Sequence, residues 1–133
     1  MHRADIVANT VEELAVWQLG NELRQRVYSL TATRPVVRDI TFCNQVRDAA
    51  TSFNRNISEG FGRLGDAEFA QFLAIARGSA YEVKDALHDG ILRGCWSEEQ
   101  AFEALRLCHR LIPGLARFIG YLAPTSSKRK RRT

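Results

Sequence analysis

The sequence predicts an all-α protein: an antiparallel up-down-up-down four-helix bundle, with its last helix kinked at Pro113. Three observations predict it. Apolar residues recur at three- and four-residue steps in four long segments. No segment offers a convincing run of strand alternation. The connections between the segments are short enough to join only antiparallel neighbours.

Residues 1–9 show no periodicity and are expected to fray, leaving a bundle domain over 10–124 and a disordered basic tail over 125–133. The first helix is expected from a capping-box pattern at Thr10 and Glu13 to about Leu30. Its apolar stripe is Val11, Leu14, Trp17, Val27 and Tyr28, with Leu23 and Leu30 beside it. Pro35 lies in the connection and holds Arg34 away from helical geometry. The second helix starts near Asp39, an acid suited to a positive N-terminal end, and ends at Glu59 or Gly60. Phe42, Val46, Ala49, Ala50, Phe53 and Ile57 form its buried stripe.

Gly60, Gly62 and Gly65 are expected to supply the φ > 0 conformations that end this helix and turn the chain. The third helix then runs from Asp66 to about Leu92, burying Phe69, Phe72, Leu73, Ile75, Ala76, Ala80, Val83, Leu87 and Ile91. Gly78 in its middle costs about 1 kcal/mol relative to alanine, and reads as a place where another helix comes close. Gly94 ends it. Ser97 with Gln100 makes a second capping box, opening a fourth helix through Leu105, Leu107, Leu111 and Ile112. Pro113-Gly114 must kink or interrupt that helix, because proline lacks the backbone donor and collides with the preceding turn. Leu115, Phe118, Ile119 and Leu122 continue the apolar face to Pro124.

At 133 residues the chain fits one domain with a single core. No stretch reaches the roughly 18 uninterrupted apolar residues of a membrane helix, and Met1-His2-Arg3-Ala4-Asp5 leads into no apolar run, so neither membrane span nor leader is expected. Cys43, Cys95 and Cys108 are an odd number in a core-forming chain, which points to a reducing cytoplasm and to small buried hydrophobes. The net charge of +4 describes a tail and not a basic domain. Without Lys128, Arg129, Lys130, Arg131 and Arg132, 14 basic residues face 15 acidic ones.

The stretch Asn56-Ile57-Ser58-Glu59-Gly60-Phe61-Gly62-Arg63 resembles the Asn-Ile-Ala-Glu-Gly-Phe-Gly-Arg corner of small bacterial four-helix-bundle proteins, those encoded by intervening sequences in 23S ribosomal RNA genes. Upstream, Leu14, Val16-Trp17-Gln18, Glu22-Leu23, Val27-Tyr28, Gln45-Val46-Arg47 and Ala49-Ala50 agree with that family. Downstream, Phe69, Phe72-Leu73, Ile75-Ala76, Gly78-Ser79 and Glu82 do too. Pro113 and the basic tail depart from its pattern. The resemblance implies a ring-forming homo-oligomer, typically a pentamer. It extends to the accessory variability determinants of diversity-generating retroelements, which are similar bundle rings that bind nucleic acid and a reverse transcriptase.

Catalytic chemistry finds little support. Asp85 and His88 share a helical face with Glu82, echoing half of a di-iron bundle site, but the second Glu-x-x-His pair is missing. Cys108 and His109 are adjacent and so point apart on a helix. No phosphate loop or nucleophile elbow is present. The expected protein is therefore not an enzyme and carries no cofactor. The alternative is a metal-dependent bundle enzyme using Glu82, Asp85 and His88.

A polar seam is more informative. Gln45, Asp48, Ser52, Asn56 and Glu59 recur at helical spacing beside the apolar stripe, with Ser79 and Glu82 placed similarly on the third helix. It reads either as a recognition surface or as a hydrogen-bonded seam with Arg47, Arg63 or Arg77. The second is preferred, since unpaired buried charge is costly in a small domain. Glu59 and Arg63 are placed to pair across the corner. Phe61, Tyr81 and Phe102 lie off the main stripes and leave apolar surface for sister copies.

The tail Lys128–Arg132 reads as an electrostatic hook for RNA or DNA, or as a solubilising terminus; a nuclear-import role does not fit the bacterial setting that the resemblance implies. Arg24, Arg26, Arg106, Arg110 and Arg117 are the body residues that would join it. The functional expectation is a cytoplasmic homo-oligomeric platform for nucleic acid or a protein partner, against a purely structural oligomer.

Overall fold

The computed structural model describes residues 8–122, so residues 1–7 and the expected tail, Lys128–Arg132 included, lie outside it. The described residues form four helices and no strand: α1 (Ala15–Thr31), α2 (Ile40–Phe61), α3 (Asp66–Leu92) and α4 (Glu98–Leu122). Short 3-10 turns at Val11–Glu13 and Val36–Arg38 precede α1 and α2. The all-α expectation is met. α1 packs on α2 and α4, and α3 packs on the same two. Their apolar stripes meet in one core. Leu23 and Val27 enter it from α1, Val46, Phe53 and Ile57 from α2, Phe69, Leu73 and Leu87 from α3, and Leu111 and Leu115 from α4.

Two helix starts follow their sequence signals. The Asp39 carboxylate accepts from the Phe42 N–H at 3.1 Å, meeting one of the orphan donors of the first turn of α2. At α4 the capping box is complete: the Gln100 N–H donates to Ser97 Oγ at 3.0 Å, and the Ser97 N–H donates to Gln100 Oε1 at 2.8 Å. Thr10 and Glu13 behave differently. Glu13 accepts from the Asn9 N–H at 3.1 Å, while its own N–H goes to the Thr10 carbonyl at 3.2 Å, closing a 3-10 turn. Leu14 then takes an extended conformation with its side chain buried, so α1 begins one residue later.

Burial corrects two stripe assignments. Tyr28 is exposed, its hydroxyl 3.0 Å from that of Thr51, and Leu23 holds the central position instead. Ile75 is 53% exposed, because the core is already filled from α3 by Leu73 and Ala76. Interruption at Pro113 does not occur, and α4 is one helical element from Glu98 to Leu122. Pro113 and His109 both lie on its exposed side, where water can reach the carbonyl left without a donor.

The glycines are the main correction. Gly60 lies inside α2, Gly62 has φ −74°, Gly65 has φ −108°, and Gly94 is the one positive-φ residue among those described. The corner therefore needs no left-handed residue. Gly60 is required for a different reason. A Cβ there would stand 2.8 Å from Phe69 Cδ1 and 2.8 Å from Phe72 Cβ, so α3 can lie against α2 only because that atom is missing. Gly78 meets nothing within 4 Å and is not an approach point. Gly20, backed by Phe53 and Asn54, and Gly90, backed by Trp96, fill that role.

These contacts predict opposite effects of one added methyl. Gly60→Ala is expected to destabilise by about 1–3 kcal/mol through overpacking. Gly78→Ala is expected to stabilise by about 1 kcal/mol through helix propensity and a less flexible unfolded chain. Urea unfolding of the two variants checks both. Equal effects would remove the close approach from the explanation.

Candidate functional site

The corner joining α2 to α3 is built on aromatic packing. Phe61 meets Phe69 edge-on at 6.1 Å between centroids, and Phe69 meets Phe118 of α4 at 5.3 Å. Phe61 is thus half-buried against the core instead of standing free at the corner. Arg63 lies over the Phe72 ring, 5.0 Å from its centroid, with Glu59 at 3.5 Å and Glu68 at 3.9 Å. The expected Glu59–Arg63 pair forms. Both side chains are about half exposed, so solvent screening leaves it little stabilising effect.

Further along the α2–α3 contact, pairs step in opposite directions on the two helices: Gly60 against Phe69, then Ser52 against Ser79. The seam comes together in its middle. Ser52 Oγ and Ser79 Oγ are 3.1 Å apart, and the Asn56 amide donates to the Ser52 carbonyl at 2.8 Å and to its hydroxyl at 3.1 Å. Ser79 is buried, so this chain of bonds meets the demand of a polar group that water cannot serve.

The other predicted members go elsewhere. Gln45 and Glu82 line a groove of about 370 Å³ with Phe42, Ala49, Asp85, Ala86 and Asp89. Asp48 lines a second cleft beside Tyr28, Asn44, Arg47 and Thr51. Neither Arg47 nor Arg77 joins the seam. Arg47 donates to Thr31 Oγ1 at 2.8 Å, and Arg77 lies 5.7 Å from the Tyr81 ring.

The metal alternative gains no geometry. Glu82 and Asp85 share the groove without His88, and no group of three or more His, Cys, Asp or Glu among the described residues is placed to hold a metal ion. Cys108 is buried while His109 is exposed. Burial pushes the Cys108 thiol up to about 12, so it is protonated at neutral pH and is a poor nucleophile.

The candidate arginines of the body divide. Arg106 is bound to Glu103 at 3.0 Å, and this hydrogen bond holds the Glu103 carboxyl below its ordinary range. Arg24 donates to Asn21 Oδ1 at 2.7 Å, and Arg26 is exposed. Arg110 and Arg117 come together. With Ala15, Val16, Leu19, Pro113 and Gly114 they line a cleft of about 430 Å³ between α1 and α4.

Several features escape a reading of the sequence. Trp96, in the α3–α4 connection, lies on Gly90 and donates its indole N–H to the Leu87 carbonyl at 3.0 Å. Beside it, Arg93 ties Asp89 at 2.9 Å to Asp39 at 3.6 Å and covers Phe42 at 4.5 Å. Asn54 is buried against Gly20, its amide 3.4 Å from the Trp17 carbonyl. Last, Arg55 and Ser58 line a cleft of about 500 Å³ at the corner with Glu59, Gly62 and Arg63. Their spacing of three and four residues is the one signal the sequence holds for it.

A family model described as 23S rRNA-intervening sequence protein matches residues 12–117, a span that holds all four helical cores and the corner. The chain belongs to that family. No curated protein matches it. In this 23S rRNA-intervening sequence protein the corner, the seam and Arg106, Arg110 and Arg117 fall within the matched residues, whereas Lys128–Arg132 falls beyond them. None of the described helices is long and apolar enough to cross a membrane.

The cysteines provide a test of this packing. Cys108 is expected to resist alkylation at pH 8 while Cys95, which is partly exposed, reacts first. The raised folded value also sets a pH window. Stability should hold below about pH 9 and fall between pH 9 and 12, as the unfolded thiol ionises before the folded one. Mass-mapped alkylation in native buffer and in urea checks the order of labelling. Fast native labelling of Cys108 would contradict it.

Proposed function

We propose that this protein is a non-enzymatic, self-associating helical bundle that binds nucleic acid through its basic residues, in the cytoplasm. The observation that carries the self-association is apolar surface left outside a closed core. Phe102 is 60% exposed and Ile75 and Tyr81 are also exposed, although the core beneath them is filled. Large apolar side chains left in water favour burial against a second copy. The family resemblance supplies a ring of five as the expected assembly. A protein partner such as a reverse transcriptase stands with it as a further expectation of the resemblance.

The family's name ties it to sequences within a ribosomal RNA, which supports RNA over DNA as the ligand to try first. The charge pattern supports contact with a phosphate backbone. Five cations lie in the last six residues of the chain, and in a ring several such tails would act together.

Size-exclusion chromatography with light scattering is expected to give a mass several times 15.0 kDa, five times if the ring is right. Phe102→Glu is expected to lower that mass with helicity retained. A monomer at all concentrations would end the reading. In the same protein, removing residues 128–133 is expected to weaken single-stranded RNA binding at least tenfold at low salt. Its salt dependence is expected to flatten by about 0.7 for each phosphate that the tail neutralises. Unchanged affinity would take the tail out of the account.

A further inference from the structure

The α2–α3 corner carries an opening that neither the core nor the seam uses. Counted from Arg55, Ser58, Glu59 and Gly62 stand three, four and seven residues on, so they share one face of the last turns of α2 and its C-cap, and Arg63 closes the opening from the connection. We propose that this corner cleft binds a phosphate group of single-stranded nucleic acid, with Arg55 and Arg63 as the cationic clamp and Ser58 as a hydroxyl donor. The proposal rests on the nucleic-acid reading above and adds a site to it.

Four observations support it. Arg55 and Ser58 make no side-chain hydrogen bond or ion pair among the described residues, so a guanidinium fork and a hydroxyl stand available. Arg63 is already oriented by the Phe72 ring, while its carboxylate contacts, at 3.5 and 3.9 Å, are long and solvent-screened. Two of the carbonyls at the end of α2 are occupied, since the Gly62 N–H goes to Ser58 O and the Arg63 N–H to Gly60 O, each at 3.1 Å, which lessens the negative end of the helix without removing it. Gly62 has no side chain to fill the opening.

Two carboxylates oppose the proposal. Glu68 reaches Arg63 from the start of α3, and Glu59 lines the cleft itself, leaving two cations against one carboxylate within it. A phosphate must displace Glu59 from Arg63, and that gives the test a sign. The location is also apt. Phe61, Phe69 and Phe118 join α4 to the corner near its C-terminal end, so the chain leaving Leu122 sets out from this end of the bundle.

The test uses the full chain and a single-stranded RNA oligonucleotide, followed by fluorescence anisotropy across a salt series. Arg55→Gln is expected to weaken binding about 3- to 10-fold and to lower the salt slope by about 0.7. Glu59→Gln is expected to strengthen binding, with thermal melts of both variants unchanged. If both bind as the parent does while tail removal abolishes binding, the corner site is overturned and the tail reading stands. If the parent shows no salt-dependent RNA binding, the broader reading fails, and pyrophosphate titration followed by NMR then decides the corner by itself. Saturable shifts of the Gly62 amide and the Arg55 and Arg63 Nε–H signals, lost in Arg55→Gln, would support it. Absent shifts would overturn it.

Discussion

The approach of α3 to α2 at Gly60 is the constraint on which the rest of this bundle depends. With hydrogen at that position, Phe69 and Phe72 lie directly on the α2 backbone. Phe69 then reaches both Phe61 and Phe118, linking the end of α2, the start of α3 and the last turns of α4. The same closeness brings Ser52 within hydrogen-bond distance of Ser79 further along. A methyl at residue 60 would press against an aromatic side chain and a helix backbone at once, and neither yields cheaply in a close-packed interior. Gly20 and Gly90 repeat the device. Each leaves room for a large neighbour, Phe53 with Asn54 in one case and Trp96 in the other.

Much of this architecture is legible in the sequence because local chemistry decides it. Asp39 and the Ser97–Gln100 pair mark helix starts through side-chain atoms a few bonds from the donors they meet. The bounds of α3 follow from its periodicity. The corner motif points to the family by its residues alone, and the family match over residues 12–117 agrees with it. What is not legible depends on the neighbour across a gap. Gly78 and Gly90 look alike in a helical segment, yet one faces open space and the other an indole ring. Tyr28 and Ile75 sit at positions that periodicity allows to be buried, but Leu23, Leu73 and Ala76 already fill the core there. The corner glycines read as turn formers, when one is a packing residue and none needs positive φ.

The candidate site shows the same division. The Ser52–Asn56–Ser79 bonds and the Glu59–Arg63 pair follow from helical spacing. Arg55 is different, because a solvent-facing arginine on a helix has no distinguishing mark until a cleft forms beside it. The body offers clefts open to solvent at the corner and along α1–α4, each bordered by two arginines, and apolar side chains that the core does not need.

Native-state hydrogen exchange resolved to single amides measures the central claim directly. If the Gly60 contact organises the bundle, amides of residues 53–60 in α2 and 69–76 in α3 will exchange only through global unfolding, with the same free energy and the same denaturant dependence. Exchange of the corner amides through a separate, low-energy opening, while α1 and α4 stay protected, would show that the bundle is held together elsewhere.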